Sequence, residues 1–322
     1  MTDQPIQPLR ISDIEVFPGQ SKMIELPVGS LPSGNEVSVK AHVFRGYKPG
    51  PTILFLAGIH GDEINGIEIV RRCIAEKLFD QIDAGTVIAI PLLNLYGFIN
   101  LSRDVPDGKD VNRSFPGSAT GSLASRVAHC LSREILPLVD FGIDFHTGGR
   151  GTYNYPQLRY SPDDAKSREI AKIFGAPVIV ASNPPAKSLR KTAAKSHLPI
   201  LTYEGGENQR YDGLSLQVGV AGIKRLLSHF GLNGSTDKKP ESVDIKDIQK
   251  STWLRASRAG LFRWYKPSGH RVRKGEPLGV ICDPRGILPD KRVLSNKDGF
   301  IIGHANAAVI SQGDAIFHIG EL

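Results

Sequence analysis

His60 and Glu63 stand three residues apart at the end of an unbroken apolar run, 52–58, and His146 closes a second apolar run, 139–145. Two imidazoles and a carboxylate are a complete three-ligand set for a catalytic zinc, which takes nitrogen and oxygen donors and keeps one position open for water. An isolated His-x-x-Glu is as well explained by a loop histidine and a solvated acid in the first turn of a helix. Here the remaining parts of a hydrolytic site follow in order. Arg103 and the segment Asp110-Val-Asn-Arg-Ser-Phe115 supply guanidinium, amide and carboxylate groups. A fixed guanidinium near a metal can stabilise an oxyanion, and a second one beside an amide can grip a carboxylate through a planar contact that lysine cannot reproduce. Asp110 can orient a ligand histidine through its other ring nitrogen. Glu204 closes the apolar run 199–203 and precedes two glycines. A charge at the end of a buried strand is a poor structural choice and a good general base.

Taken together, Gly58-Ile-His-Gly-Asp-Glu63, Asp110-Val-Asn-Arg-Ser-Phe115, Asp144-Phe-His-Thr-Gly148 and Glu204-Gly-Gly206 resemble the succinylglutamate desuccinylase/aspartoacylase family, over roughly residues 50–230. The resemblance implies a zinc carboxypeptidase-like fold and one Zn2+ per chain held by His60, Glu63 and His146. It implies Glu204 as the catalytic carboxylate, Arg103 as the oxyanion arginine, and Asn112 with Arg113 as the pair that binds a substrate carboxylate. The expected activity is hydrolysis of the linear amide of a small, anionic N-acylated amino acid or related amine, a deacylase reaction. The family's substrate-selecting arginine, upstream of the catalytic glutamate, has no single match. Arg190, Lys191 and Lys195 are candidates, in a flexible basic loop expected to cross the cleft mouth, and Arg190 is the residue assigned to the substrate's far end. Two other readings compete: a zinc carboxypeptidase acting on peptides, and a catalytically silent binding module of the same fold.

Composition narrows the setting. With 322 residues, 40% of them hydrophobic, the chain can bury a large core without staples. Three scattered cysteines are too few for a disulfide framework or a cysteine-held metal. No basic-apolar leader opens the chain and no stretch has the length of a membrane span, so the expectation is a cytoplasmic protein with no membrane partner. The net charge of +7 is dispersed, without an aromatic-interleaved basic stripe, which argues against a nucleic-acid partner and agrees with an anionic small substrate. A homo-oligomer is compatible with all of this.

Positioning such a site calls for alternating strands and helices. Apolar runs at 52–58, 87–93, 139–145, 177–181 and 199–203 alternate with helical spacings at 64–78, 123–135 and 214–230. This pattern predicts an α/β fold with a mixed central sheet, helices on both faces, and ligands at the carboxyl ends of strands. Residues 1–50 read as irregular or edge β and are assigned to the catalytic domain, 1–232, followed by a polar linker, 233–240. The tail, 241–322, contains two matched segments, 272–281 and 310–319, each built around a Gly-acid turn. They resemble the halves of a barrel-sandwich domain, predicting a small all-β unit that serves as lid or scaffold. Lys297 sits in ordinary turn chemistry rather than on a carrier hairpin. The remaining histidines, among them His304 near a turn, are expected to be structural or solvated.

Overall fold

The computed structural model describes residues 7–30, 33–234 and 244–322, so most of the expected linker lies outside the described residues. The described residues among the first fifty are more regular than their sequence suggests. After the short antiparallel pair β1 (Leu9–Ile11) and β2 (Ile14–Val16), two ten-residue strands, β3 (Ser21–Ser30) and β4 (Glu36–Arg45), form an antiparallel ladder. Val37, Val39, Ala41 and Val43 alternate inward along β4 and fix its register, because a one-residue slip would turn all four outward.

The apolar runs become β5 (Lys48–Ala57), β6 (Ala84–Ile90) and β7 (Phe141–Gly148), followed by β8 (Thr152–Tyr160), β9 (Val178–Ala181) and β10 (Ile200–Glu207). Their order is β3-β4-β6-β5-β7-β10-β8, parallel from β6 through β10 and antiparallel on either side. Among the described residues, six α-helices accompany them: α1 (Ile64–Ala75), α2 (Leu95–Ile99), α3 (Leu123–Cys130), α4 (Ala165–Phe174), α5 (Leu189–Ala194) and α6 (Gly213–His229). Successive strand residues face opposite sides, and both sides are covered. Phe55, Phe145 and Tyr203 meet Ile69, Phe174 and Ile223 of α1, α4 and α6. Leu54, Leu56 and Ile88 share the other core with Val127 of α3 and Leu189 and Ala193 of α5. The single helix expected over 123–135 ends at Cys130 and gives way to a π-helical turn, 131–135, ahead of Pro137. Ser122, Asp164, Ser188 and Asp212 each cap a helix by accepting a backbone N–H three residues on. No helix among the described residues is long and apolar enough to cross a membrane.

The tail is β-rich: β11 (Lys246–Ile248), β12 (Ser251–Arg255), β13 (Gly260–Trp264), β14 (Arg271–Val272), β15 (Pro277–Cys282), β16 (Lys291–Leu294), β17 (Gly299–Ala305), β18 (Val309–Ile310) and β19 (Ala315–Gly320). It divides between two sheets. β17, β19 and β12 continue the central sheet beyond β8, whereas β16, β15, β13 and β18 form a separate four-stranded sheet. Phe262, Leu278, Ile281, Ile301 and Phe317 pack together in one core drawn from both. The matched segments are both strand-turn-strand units, with Gly275 and Gly313 at φ 82° and 90°, where an L-residue is strained. Lys297 Nζ is tied to Thr252 Oγ1 at 2.8 Å and Glu321 Oε1 at 2.6 Å, which suits a structural turn and not a swinging arm.

His304 lies inside β17 rather than beside a turn, 3% exposed, its Nδ1 accepting from the Ser268 N–H at 3.1 Å. Burial pushes its pKa down to about 4. The folded value thus lies below the unfolded value of about 6.5, and the unfolded chain binds the proton more readily. The stabilisation is whole above about pH 6.5 and is lost as pH falls toward 4. From this group alone, stability should drop by about 2 kcal/mol between pH 7 and pH 5. Urea midpoints at the two pH values should show a smaller drop in His304→Gln than in the parent.

Candidate metal centre and catalytic cleft

Three adjacent parallel strands deliver the site. β5 ends at Ala57 and its following loop carries His60; His146 is in β7 and Glu204 in β10. Glu204 stands directly across from His146 in the β7–β10 ladder, and the register then shifts before Glu207. Such a break next to a site re-aims side chains that regular pairing would hold flat. Glu63 immediately precedes α1, and α1 is drawn against β7 by Gly66. A Cβ at Gly66 would fall 2.5 Å from the Phe145 carbonyl oxygen. Gly66→Ala should therefore push α1 and Glu63 away from His146. The expected result is at least a tenfold weaker hold on zinc in a chelator competition, a loss like that seen when a ligand's support is removed.

The three expected ligands converge and are buried. Glu63 Oε1 is 2.6 Å from His60 Nδ1, Glu63 Oε2 is 2.8 Å from His146 Nδ1, and the two Nδ1 atoms are 3.2 Å apart. About 3.3 Å separates two ligands placed about 2.05 Å from a tetrahedral centre, so the donor set fits zinc in type and spacing. The electrostatics agree. Burial opposes protonation of both histidines, yet Glu63 and Asp110 raise the pKa of His60, and Asp144 with Glu63 raises that of His146 well above the ordinary value. Glu63, despite its burial, is held well below the usual carboxylate range by the two histidines. A negative potential that attracts a proton here attracts a cation equally. The Thr147 N–H also donates to Glu63 Oε2 at 3.0 Å.

Each histidine has a carboxylate behind it. His146 Nε2 is 2.8 Å from Asp144 Oδ2. His60 Nε2 is 3.3 Å from Asp110 Oδ1. Asp110 also caps the short turn 111–113 through the Asn112 N–H, and its Oδ2 accepts from Arg103 Nε and Nη2 at 3.1 and 2.8 Å. Against its burial, His60 and Arg103 hold Asp110 below the usual carboxylate range. Arg103 is thereby anchored with its third nitrogen, Nη1, directed at the ligand cluster, 3.1 Å from His60 Nδ1. Asp144 was not singled out from the sequence, although two positions before His146 on one strand put both on the same face.

A cleft of about 600 Å³ joins these groups to Asn112, Arg113, Glu204 and Arg190. Asn112 Oδ1 accepts from the Leu189 N–H at 3.0 Å, and Arg113 is exposed. Asn154 Nδ2 donates to Glu204 Oε2 at 2.9 Å. The expected flexible loop around Arg190 is a helix, α5, capped by Ser188, whose side chain accepts from the Lys191 N–H. Arg190 is 6% exposed and donates to the Ser182 carbonyl at 2.7 Å, while Lys191 and Lys195 are exposed and outside the cleft lining. Sequence reasoning also missed Asn154, Arg159 and Trp253. The last comes from β12, stacked at 4.3 Å on His318, so the tail contributes directly to the cleft.

Comparison with known proteins agrees with this geometry. The succinylglutamate desuccinylase/aspartoacylase catalytic domain matches residues 49–230. The N-alpha-acetyl-L-2,4-diaminobutyric acid deacetylase of Halomonas elongata is 30% identical over 287 residues, covering 85% of this chain and 83% of that protein. The crystal structure of a succinylglutamate desuccinylase/aspartoacylase from Rhodobacter sphaeroides superposes with a TM-score of 0.83 at 27% identity, covering 94% of this chain and 95% of the other. The product-bound ectoine utilization protein EutE (DoeB) of Ruegeria pomeroyi shares the fold, with a TM-score of 0.83 at 23% identity over 94% and 95% of the two chains. With its ligand triad, this chain is a metal-activated hydrolase of a small acylated amine or amino acid, and it belongs to the succinylglutamate desuccinylase/aspartoacylase family.

Proposed function

We propose that the chain hydrolyses the amide bond of a small N-acyl amino acid that carries a carboxylate, with one zinc ion per chain at His60, Glu63 and His146. When bound, that ion supplies Lewis acidity to the amide carbonyl and acidifies a water. Glu204 takes a proton from the attacking water and returns it to the leaving nitrogen. Asn154 holds one of its carboxylate oxygens, leaving the other to do this work. Arg103, anchored by Asp110, directs Nη1 toward the region where the oxyanion develops. Asp110 and Asp144 orient the two histidines. Asn112 and Arg113 hold a substrate carboxylate at the cleft, and Arg190 reads the far end. The tail acts as a barrel-sandwich-like wall that closes the cleft through Trp253. The observation that carries this reading is the convergence of the ligand triad with Glu204, directly across from His146, in one cleft.

The Halomonas elongata relative is named for an N-acetyl diamino acid, which makes N-acyl amino acids the first class to test. Zinc-loaded protein should release free amine from at least one member of a panel of N-acetyl, N-succinyl and N-formyl amino acids, diamino acids included. Release of amine from none of them at about one zinc per chain would overturn the proposal. Stepwise loss of C-terminal residues from a peptide library would favour a peptidase instead.

A further inference from the structure

Glu204 stands where β10 is least regular. The ladder to β7 shifts between Glu204 and Glu207, the ladder to β8 shifts between Glu204 and Gly206, and Gly206 has φ 77°. A bulged segment has lost part of its ladder, so other contacts must fix its side chains. Two of those contacts lead to the tail. The first runs through Asn154. Its Nδ2 donates to Glu204 Oε2 at 2.9 Å, and its Oδ1 is buried without a hydrogen-bond partner. Asn154 pairs with Gly206 of β10 on one side and with Gly303 of β17 on the other. A Cβ at Gly303 would fall 2.8 Å from Asn154 Oδ1 and 3.3 Å from the Tyr153 carbonyl oxygen. β17 itself shifts register against β19 between Ile301 and Gly303.

The second contact runs through Asn306, the residue after β17. Its Nδ2 donates to Glu207 Oε2 at 2.6 Å, and its backbone N–H donates to the Gly151 carbonyl at 2.7 Å. Its Oδ1 accepts from Trp264 Nε1 of β13 at 3.0 Å, so both sheets of the tail bear on Glu207. Resting on the hydrolase reading above, we propose that Gly303 and Asn306 are positioning residues for Glu204: the tail aims the general base from behind. A carboxylate that must reach a water and then the leaving nitrogen works only within a narrow range of positions. Gly303 leaves room for the Asn154 amide to pin one carboxylate oxygen. Asn306 fixes the far end of the irregular segment. Neither residue lines the cleft, so their effect on turnover passes through β8 and β10.

The test uses the zinc-loaded full chain and the N-acyl amino acid it cleaves best. Gly303→Ala should push the Asn154 amide off Glu204 and lower kcat by roughly ten- to a hundredfold, with KM and zinc content little changed. Placed beside Asn154→Ala, where that amide is gone, Gly303→Ala should cost nothing further, because the two act as one unit. Asn306→Ala, at an exposed position, carries the test should Gly303→Ala fail to fold. It should also lower kcat at constant KM, but less, since Glu207 keeps its ion pair with Arg210. Unchanged kcat in either folded variant overturns the role of that residue. A loss from Gly303→Ala that persists in full beside Asn154→Ala overturns the proposal. So does a fall shared by kcat, zinc content and urea midpoint, the signature of a purely structural contact. If the parent cleaves no N-acyl amino acid, the hydrolase reading has failed separately. A crystal structure of Gly303→Ala then decides whether the tail aims Glu204: loss of the Asn154–Glu204 hydrogen bond supports it, and its retention overturns it.

Discussion

His146→Ala should abolish stable zinc binding and, with it, turnover. Two ligands would remain of three, and the loss should exceed the ten- to hundredfold typical of removing a supporting partner. The substitution also strips Asp144 of its partner. Asp144 is 1% exposed and already has one carboxylate oxygen without a hydrogen bond. Removing one member of a buried pair leaves an uncompensated charge, at a cost of about 3–5 kcal/mol. The variant should therefore be less stable than the parent even when both are metal-free, as read from urea unfolding. Asp144→Asn is the companion: the ligand stays, its orientation weakens, and zinc affinity should fall by only about ten- to a hundredfold. Zinc held by His146→Ala as tightly as by the parent would exclude the proposed triad.

Glu204→Gln should separate chemistry from binding. The side chains are nearly isosteric, and Asn154 can still donate to the amide oxygen. Zinc content and KM should change little while kcat falls about 10²- to 10⁴-fold, the range of a lost general acid–base. A decrease confined to KM would instead give Glu204 a binding role. Equal kcat in parent and variant would remove it from the mechanism.

Much of the architecture is periodic and therefore legible along the chain. β5, β6, β7 and β10 are apolar because they are covered on both faces, and a buried parallel strand reads as a continuous apolar run. α1 announces itself by spacing alone, and α6 by spacing and its Asp212 cap. β8 does not: Pro156, Gln157 and Arg159 interrupt any alternation, and it is a strand because β10, β9 and β17 pair with it. That is why Asn154 and Arg159 escaped notice. Arg190 suggested a loop because its neighbours are basic and polar. Its burial depends on the Ser182 carbonyl, brought by a different segment.

The identity of the donors in the metal set is a property of the sequence: only certain side chains bind zinc, and His60, Glu63 and His146 follow local strand-end patterns that the chain writes out in order. Their convergence within 4.8 Å is a property of the tertiary structure. It depends on the parallel register of β5 and β7 and on the close approach of Gly66 to β7. The same holds for the partition of the tail. Its duplicated turns are local, since Gly275 and Gly313 need only their own backbone conformation. The continuation of the central sheet through β17, β19 and β12, which carries Trp253 to the cleft, depends on the free edge that β8 presents. Edge pairing is made of backbone hydrogen bonds, which carry no side-chain signature, so only the folded chain could decide it.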